Sequence, residues 1–177
     1  MIVTPAIPTI IYHSVYGSTQ NYAEYLAAEL GAELFSMKAA KKALIQAQKN
    51  AGPVIIMAPT YGPHNAMIDF IRDNYFYGLP VAAVAVGMTL PEIAREKDNL
   101  ANQLPKDCAR FYLPGRLNYS AISQTHRSVM FSLISALRLK PRKNPNDRAM
   151  IAGYDKDTDN VDFGELAGII AWVREVS

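Results

Sequence analysis

The chain has 177 residues, half of which are apolar and 19% of which are charged. These proportions are typical of one globular domain and exclude a disordered or fibrous chain, so the sequence predicts a single domain over residues 1–177. The formal net charge is +2, which is too balanced to indicate binding to nucleic acid.

The cellular compartment is predicted from what the sequence lacks. No apolar run approaches the ~20 residues that a membrane-spanning helix needs. The N-terminus has neither the basic leader nor the apolar segment of an export signal. The single cysteine, Cys108, cannot form an internal disulfide. We therefore expect a cytoplasmic protein in which Cys108 is a buried apolar side chain rather than a reactive thiol.

Short apolar runs rich in Ile, Val and Ala recur along the chain with amphipathic segments between them, which is typical of strands that alternate with helices. The runs at 54–58 and 81–86 show no polar alternation, which predicts strands covered by helices on both faces, as in a parallel sheet. The sequence thus predicts an α/β fold, a three-layer sandwich around a five-stranded parallel sheet. The predicted strands are 7–13, 32–35, 54–58, 81–86 and 109–113.

Helices are expected between and after these strands, and several carry recognisable ends. Gly31 supplies a stop for the first helix. Asn144, Pro145 and Asp147 have the pattern of a cap, a first-turn proline and a first-turn carboxylate. Asp162 with Glu165 has the pattern of a capping box. The predicted helices are 19–30, 39–48, 66–75, 91–104 and 120–139, one that opens at 144–147 and a last one from about residue 162.

The loop between the first strand and the first helix has the chemistry of a phosphate site. Residues 14–19 read Ser-Val-Tyr-Gly-Ser-Thr and combine hydroxyl side chains, a glycine and the unpaired N–H groups of a helix start. No Lys or Arg lies between residues 1 and 37, so a phosphate here would be held by hydroxyls and backbone dipoles. The alternative, that the Ser and Thr residues only cap the helix, stays open at this point.

Other phosphate-binding classes lack their residues in this chain. The sequence has no G-x-x-x-x-G-K-[ST] motif and no G-x-G-x-x-G after the first strand, which excludes the usual loops of nucleotide hydrolysis and NAD binding. Cys108 stands at a strand start and not in a phosphatase loop. The third strand ends in Ala58-Pro59-Thr60, without the acidic residue of a receiver domain.

Residues 11–19, Ile-Tyr-His-Ser-Val-Tyr-Gly-Ser-Thr, resemble the first strand and FMN-phosphate loop of flavodoxins. Tyr16 stands where most flavodoxins carry threonine, and this version resembles the subfamily related to menaquinone-dependent protoporphyrinogen oxidase. Residues 58–62 resemble the second flavin loop, and 114–119 with the helix after them resemble the distal half of that subfamily. The stretch 88–106 is shorter than the insertion of the oxidase, so the resemblance reaches flavin binding but not porphyrinogen specificity.

The resemblance, which covers most of residues 7–176, implies a strand order of 2-1-3-4-5 with FMN at the switch point between strands one and three. It also implies that Tyr61 stacks on the flavin ring and that the peptide of Gly62 meets flavin N5. No catalytic side chain and no metal ligand is predicted, because the flavin would be the reactive group. The implied cofactor-binding residues are Ser14, Val15, Tyr16, Gly17, Ser18, Thr19, Pro59, Thr60, Tyr61, Gly62, Gly87, Met88 and Thr89.

The function implied by the resemblance is that of an FMN-binding oxidoreductase or electron-transfer protein. A menaquinone-dependent protoporphyrinogen oxidase is one alternative, and a flavin-free binding module on the same fold is another. The sequence pI of about 8.6 disfavours a carrier that is steered to basic reductases, because such carriers are acidic. The redox partner stays open between a reductase, a quinone and a porphyrinogen.

The predicted helix 120–139 combines an apolar surface with a basic end. Its apolar residues are Val129, Met130, Leu133, Ile134, Leu137 and Leu139, and the cations are Arg138, Lys140, Arg142, Lys143 and Arg148. Such a helix can make peripheral contact with an anionic membrane. It can equally pack its apolar side on the sheet while the cations complement the helix C-terminus. Both interpretations stay open, as does the oligomeric state.

Overall fold

The computed structural model describes residues 6–60 and 65–177. The strands are β1 (Ile7–Tyr12), β2 (Glu33–Ser36), β3 (Ala51–Pro59), β4 (Val81–Gly87), β5 (Ala109–Pro114), β6 (Arg116–Leu117) and β7 (Thr158–Asp159). The α-helices are α1 (Ser18–Leu30), α2 (Ala40–Asn50), α3 (Ala66–Asp73), α4 (Pro91–Lys97), α5 (Gln124–Leu139), α6 (Pro145–Gly153) and α7 (Ala167–Val176). Short 3-10 turns precede α2, α5 and α7.

The central sheet is five-stranded and parallel, with the order β2-β1-β3-β4-β5. This confirms both the predicted α/β fold and its strand order. The two strands with continuous apolar runs, β3 and β4, lie in the interior of the sheet, and residues 54–58 and 82–84 are wholly inaccessible to solvent. Because helices cover both faces of these strands, polar alternation would have buried unpaired polar groups, and the sequence has none there.

The sheet separates two apolar cores. On one face, Tyr22 and Leu26 of α1 meet Ile169 and Val173 of α7. On the other face, α2 and α3 cover the sheet, and Cys108 is packed among them. Burial raises the pKa of the Cys108 thiol to about 11, so this side chain is apolar in behaviour and poorly nucleophilic at neutral pH. The expectation that Cys108 is a buried small side chain is confirmed.

Two predicted helix boundaries are wrong for local reasons. The helix predicted over 91–104 ends at Lys97, because Asp98 takes a left-handed φ of 37° and its N–H caps the carbonyl of Ala94. The helix predicted from 120 begins at Gln124, where the Ser123 side chain accepts a hydrogen bond from the His126 N–H. In both cases a single residue stops or starts the helix within a stretch whose composition would allow it to continue.

The two predicted caps near the C-terminus have opposite outcomes. Asn144 and Asp147 form a reciprocal capping box at the start of α6, with Pro145 in the first turn, as predicted. Asp162 instead caps a 3-10 turn by accepting from the Gly164 N–H, and α7 begins only at Ala167. Glu165 makes an ion pair with Arg95. The Glu165 side chain, which would have completed the capping box with Asp162, therefore pairs with α4 instead. A local sequence pattern cannot reveal this partner, because Arg95 is distant in the chain.

Between β5 and α7, residues 115–162 form an insertion that contains β6, α5, α6 and β7. Strands β6 and β7 pair with each other in an antiparallel ladder, separate from the central sheet. Within residues 6–60 and 65–177, no helix is both long enough and apolar enough to cross a membrane.

The buried hydroxyl of Tyr22 joins three parts of this fold. It donates a hydrogen bond to the carbonyl of Pro114 at 2.7 Å and accepts one from the N–H of Asp162 at 2.8 Å. Pro114 ends the last strand of the sheet, and Asp162 ends the insertion. One hydroxyl in α1 therefore fixes both ends of the insertion against the core.

We predict that Tyr22→Phe lowers the free energy of unfolding by about 1–3 kcal/mol, because the Pro114 carbonyl and the Asp162 N–H both lose their partner. Tyr25→Phe is the matched control, since Tyr25 lies in the same helix, is 46% exposed and contacts Phe163 through its ring. Urea unfolding of the three proteins measures the difference. Equal midpoints for Tyr22→Phe and the wild type would contradict the role given to this hydroxyl.

Candidate functional site

A cavity of about 700 Å³ lies at the carboxyl ends of the central strands, between the sheet edge and the insertion. Its walls include Tyr16 and Ser18 from the loop after β1, and Pro59 and Thr60 from the end of β3. The end of β4 and the loop after it contribute Gly87, Met88 and Thr89. The chain segments that the sequence predicted as cofactor loops therefore meet at one cavity, because the carboxyl ends of parallel strands share one edge of a sheet.

The remaining predicted site residues lie in other places. Val15 is exposed, and Gly17 takes a left-handed φ of 86° at the start of α1, a conformation that favours glycine. The Ser14 hydroxyl accepts a hydrogen bond from the N–H of Gln20 at 3.3 Å, so this residue does serve the helix start. Tyr61 and Gly62 lie outside the described residues.

The Thr19 hydroxyl, unlike that of Ser14, makes no hydrogen bond to a described residue that would support the helix start. Thr19 is only 1% exposed, and its Oγ1 has no hydrogen-bond partner among the described residues. An unpaired buried hydroxyl costs about 1–3 kcal/mol. Thr19 itself does not line the cavity, whereas its neighbour Ser18 does. Helix capping alone, the alternative left open above, does not account for this residue.

Asn65 is a second buried group of this kind, and sequence reasoning missed it. Its side-chain oxygen caps α3 by accepting from the Met67 N–H, while its Nδ2 has no partner among the described residues although Asn65 is only 8% exposed. Asn65 lines the cavity. The available sequence signal was an N-cap residue directly after the second predicted flavin loop, which offers an amide donor at that point.

Gly87 is required by the close approach of the strand ends. A Cβ at this position would lie 2.4 Å from Thr60 Oγ1 and 2.8 Å from the Tyr112 hydroxyl oxygen. The Thr60 hydroxyl donates to the Val86 carbonyl at 3.3 Å, and the Tyr112 hydroxyl donates to the Thr89 carbonyl at 3.0 Å. The absence of a side chain at residue 87 thus allows β3, β4 and β5 to be linked at the floor of the cavity.

An arginine from the insertion reaches the first cofactor loop. Arg116 Nη1 donates to the Tyr16 carbonyl at 3.4 Å and to Asn21 Oδ1 at 3.3 Å, and Arg116 Nη2 lies 2.7 Å from Asp159. A cation therefore lies beside this loop, a neighbour that the sequence-based expectation did not include. That expectation rested on residues 1–37, whereas the cation comes from a position about one hundred residues further along the chain and is brought there by the fold.

Tyr16 also connects the loop to the insertion. Its hydroxyl oxygen lies 2.9 Å from Nδ1 of His126 in the first turn of α5, and the two rings meet edge to face. Burial raises the pKa of the Tyr16 phenol, so the phenol is neutral in this contact. The residue that distinguishes this loop from most flavodoxin loops therefore contacts the start of α5.

Helix α5 forms the roof of the cavity. Ile134 is its only buried residue, whereas Val129, Met130 and Leu133 line the cavity together with Met150 of α6. For most of this helix the structure contradicts the alternative in which the apolar side packs on the sheet. A cavity wall and a packed core interface demand the same apolar stripe, and sequence cannot distinguish them.

Cations predominate among the charged residues of the cavity wall. Arg95, Lys97, Arg110 and Arg116 line it, and Asp98 is the carboxylate that lines it with them. Asp98 is ion-paired with Arg110 at 3.0 Å. Arg95 and Arg116 are also ion-paired, with Glu165 and Asp159, so the wall carries a small excess of positive charge. Among the described residues, no group of three His, Cys, Asp or Glu side chains is placed to hold a metal ion.

We predict that the stability of the protein falls between pH 10 and pH 12 in part through Tyr112. Burial raises the pKa of Tyr112 from 10.0 to about 12, so the unfolded chain loses this proton at lower pH than the folded one. The stabilisation is complete below pH 10 and is lost as the pH rises toward 12. Urea unfolding at a series of alkaline pH values should show a shallower loss for Tyr112→Phe than for the wild type.

Tyr75→Phe is the control for this measurement, since Tyr75 is largely exposed, and its loss of stability should follow that of the wild type. An unchanged pH dependence in Tyr112→Phe would contradict the prediction.

Comparison with known proteins adds one relationship. The sequence model of a protein family, the flavodoxin domain, matches residues 9–144. No curated protein and no solved structure matches the chain. The matched range begins in β1, includes the segments that line the cavity from the loop after β1 to α5, and ends at the cap of α6. Since it extends over more than half of the residues, and the strand order is that of the fold, this chain belongs to the flavodoxin domain family.

Proposed function

We propose that the cavity binds FMN and that the protein is a flavin-dependent oxidoreductase or electron-transfer protein. The observation that carries this proposal is the buried hydroxyl of Thr19, which has no partner among the described residues at the start of α1. A phosphate group at the same helix start would accept a hydrogen bond from it and from first-turn N–H groups. Membership of the flavodoxin domain family supports the same cofactor.

We assign the proposed cofactor-binding residues to two sets by the part of FMN that each would bind. The phosphate set would be Ser14, Val15, Tyr16, Gly17, Ser18 and Thr19, and the ring set would be Pro59, Thr60, Tyr61, Gly62, Gly87, Met88 and Thr89. The volume of about 700 Å³ lies within the range of cofactor sites, which is roughly 300–1,000 Å³. Asn65 Nδ2 adds a donor for a carbonyl or ring nitrogen of the ligand.

When bound, FMN supplies the chemistry of accepting and releasing electrons. The side chains of this chain then bind and orient the cofactor, and the roof formed by α5 and α6 limits the access of water to it. No protein nucleophile is required, in agreement with the buried position of Cys108.

A reaction with a quinone or a porphyrinogen is the second candidate. The apolar side chains of Val129, Met130 and Leu133 in the cavity wall favour it, because an apolar electron acceptor or substrate would displace water from them. Turnover of protoporphyrinogen with a quinone, measured after cofactor loading, distinguishes this candidate from a simple electron carrier.

We predict that Thr19→Val weakens FMN binding by about 10- to 100-fold, because the lost charge-assisted hydrogen bond is worth about 1.5–3 kcal/mol. The same change leaves the cofactor-free protein as stable as the wild type or more so, since it removes an unpaired buried hydroxyl. Thr19→Ser keeps the hydroxyl and should retain most of the affinity. Quenching of FMN fluorescence measures binding, and urea unfolding measures stability.

Thr125→Val is the matched control, because Thr125 is exposed and belongs to α5, whereas Thr19 is buried at the start of α1. Its FMN affinity should equal that of the wild type. A wild-type protein that shows neither visible flavin bands after loading nor quenching on titration would overturn the proposal in favour of a flavin-free binding module.

We further propose that the protein works in the cytoplasm and rests on anionic membrane through the end of α5. Leu139 is 84% exposed there, and Arg138, Lys140, Arg142 and Lys143 surround it in sequence. An exposed leucine among cations suits an anionic lipid surface, where each cation contributes about 1 kcal/mol. A carboxylate does neutralise part of this charge, since Asp147 pairs with Lys140 at 2.6 Å.

Flotation with vesicles tests this contact. We expect the protein to float with vesicles rich in anionic lipid and not with neutral ones, and we expect Leu139→Gln to float less. Ile45→Gln is the control, because Ile45 is also exposed but lies on α2. Absence of flotation with either vesicle would remove the membrane contact.

A further inference from the structure

Arg116 is the cation that the fold brings to the loop at 14–19. Its guanidinium nitrogens make hydrogen bonds of unequal length. Its Nε and Nη2 atoms face Asp159, at 2.9 Å and 2.7 Å. Its Nη1 atom faces the loop, where its bonds to the Tyr16 carbonyl and Asn21 Oδ1 are long, at 3.4 Å and 3.3 Å. The strong bonds therefore hold one edge of the guanidinium, and the weakly engaged edge is turned toward the loop.

The position of Nη1 relative to Gly17 places this edge beside the helix start. A Cβ on Gly17 would lie 3.4 Å from Nη1, so the guanidinium lies on the side of Gly17 where a side chain would stand. Arg116 also lines the same cavity as Tyr16 and Ser18. An anion held by the first-turn N–H groups of α1 would be within the immediate neighbourhood of this cation.

Arg116 is held in place by the insertion itself. Strands β6 and β7 pair Arg116 directly with Asp159, so the carboxylate is the cross-strand partner of the arginine. The side chain is 25% exposed, which is less than a surface arginine would be. Asp159 is thus a positioning residue that orients the guanidinium toward the loop.

We propose that Arg116 is a specificity-determining residue, which makes the site prefer a flavin bearing a phosphate monoester over the same flavin without it. This inference rests on the proposed flavin site and adds a reason for that site to select the charged form of the flavin. Hydroxyls and backbone N–H groups bind any hydrogen-bond acceptor, whereas a guanidinium favours a phosphate dianion over a neutral hydroxyl through charge and paired donors. In this loop the charge comes from residue 116, since residues 1–37 contain no Lys or Arg.

The test compares FMN with riboflavin, which differ only in the phosphate. We expect Arg116→Gln to weaken FMN binding about tenfold or more. Riboflavin binding should change by less than about twofold, because riboflavin has no phosphate charge for the guanidinium to attract. A merely structural role for Arg116 would weaken both ligands together. Arg116→Lys keeps the charge and should retain most of the preference for FMN.

Arg127→Gln is the matched control. Arg127 lies in the same insertion and has the same kind of partners, with Asp155 at 3.0 Å and the Tyr119 carbonyl at 2.6 Å, but it does not line the cavity. Its ratio of FMN to riboflavin affinity should equal that of the wild type. Circular dichroism verifies that each variant is folded before titration.

A measurement on the wild type alone tests the inference even if a variant does not fold. Raising the salt concentration should reduce FMN affinity and leave riboflavin affinity nearly constant, because salt screens the pairing of phosphate with guanidinium. A salt-independent ratio, or an equal loss of both ligands in Arg116→Gln, overturns the inference while leaving the flavin site standing. If the wild type binds neither flavin, the proposed function fails as well.

Discussion

The burial of β3 and β4 on both faces is the constraint on which the rest of this structure depends. Residues 54–58 have no exposed surface, so neither face of the central strands can carry a charged or polar functional group without a large desolvation cost. Polar chemistry is therefore confined to the edge where the strands end. Thr60, Gly87 and Thr89 stand at that edge, and the cavity lies directly above them.

The insertion between β5 and α7 turns an open sheet edge into an enclosed cavity. Tyr22 holds its two ends against the core, while Arg116 and His126 contact the loop after β1. The apolar residues Val129, Met130 and Leu133 of α5 line the cavity and do not pack against the sheet. The arrangement places cations and an apolar roof around one space, which suits a ligand that has an anionic end and a planar, largely apolar body.

The polar groups of the site differ in how fully the protein itself uses them. Ser14 accepts from Gln20 and supports the helix start. Thr19 Oγ1 and Asn65 Nδ2 have no partner within the described ranges. Buried donors of this kind reduce the stability of the cofactor-free protein and strengthen the binding of a ligand that satisfies them. Stability and ligand affinity are therefore expected to respond in opposite directions to changes at Thr19.

The sequence by itself determined the five strands, their burial and the loop that leads from the first strand into the first helix, because apolar patterning and helix-start chemistry are local properties. The family resemblance added the strand order. Only the tertiary structure decided the end of α4 at the left-handed Asp98, the approach of Arg116 to Tyr16 and the use of the apolar side of α5 as a cavity roof. Each of these depends on one backbone conformation or on contacts between distant residues. A local pattern of apolar and charged residues records that such groups exist, but not which distant group they meet.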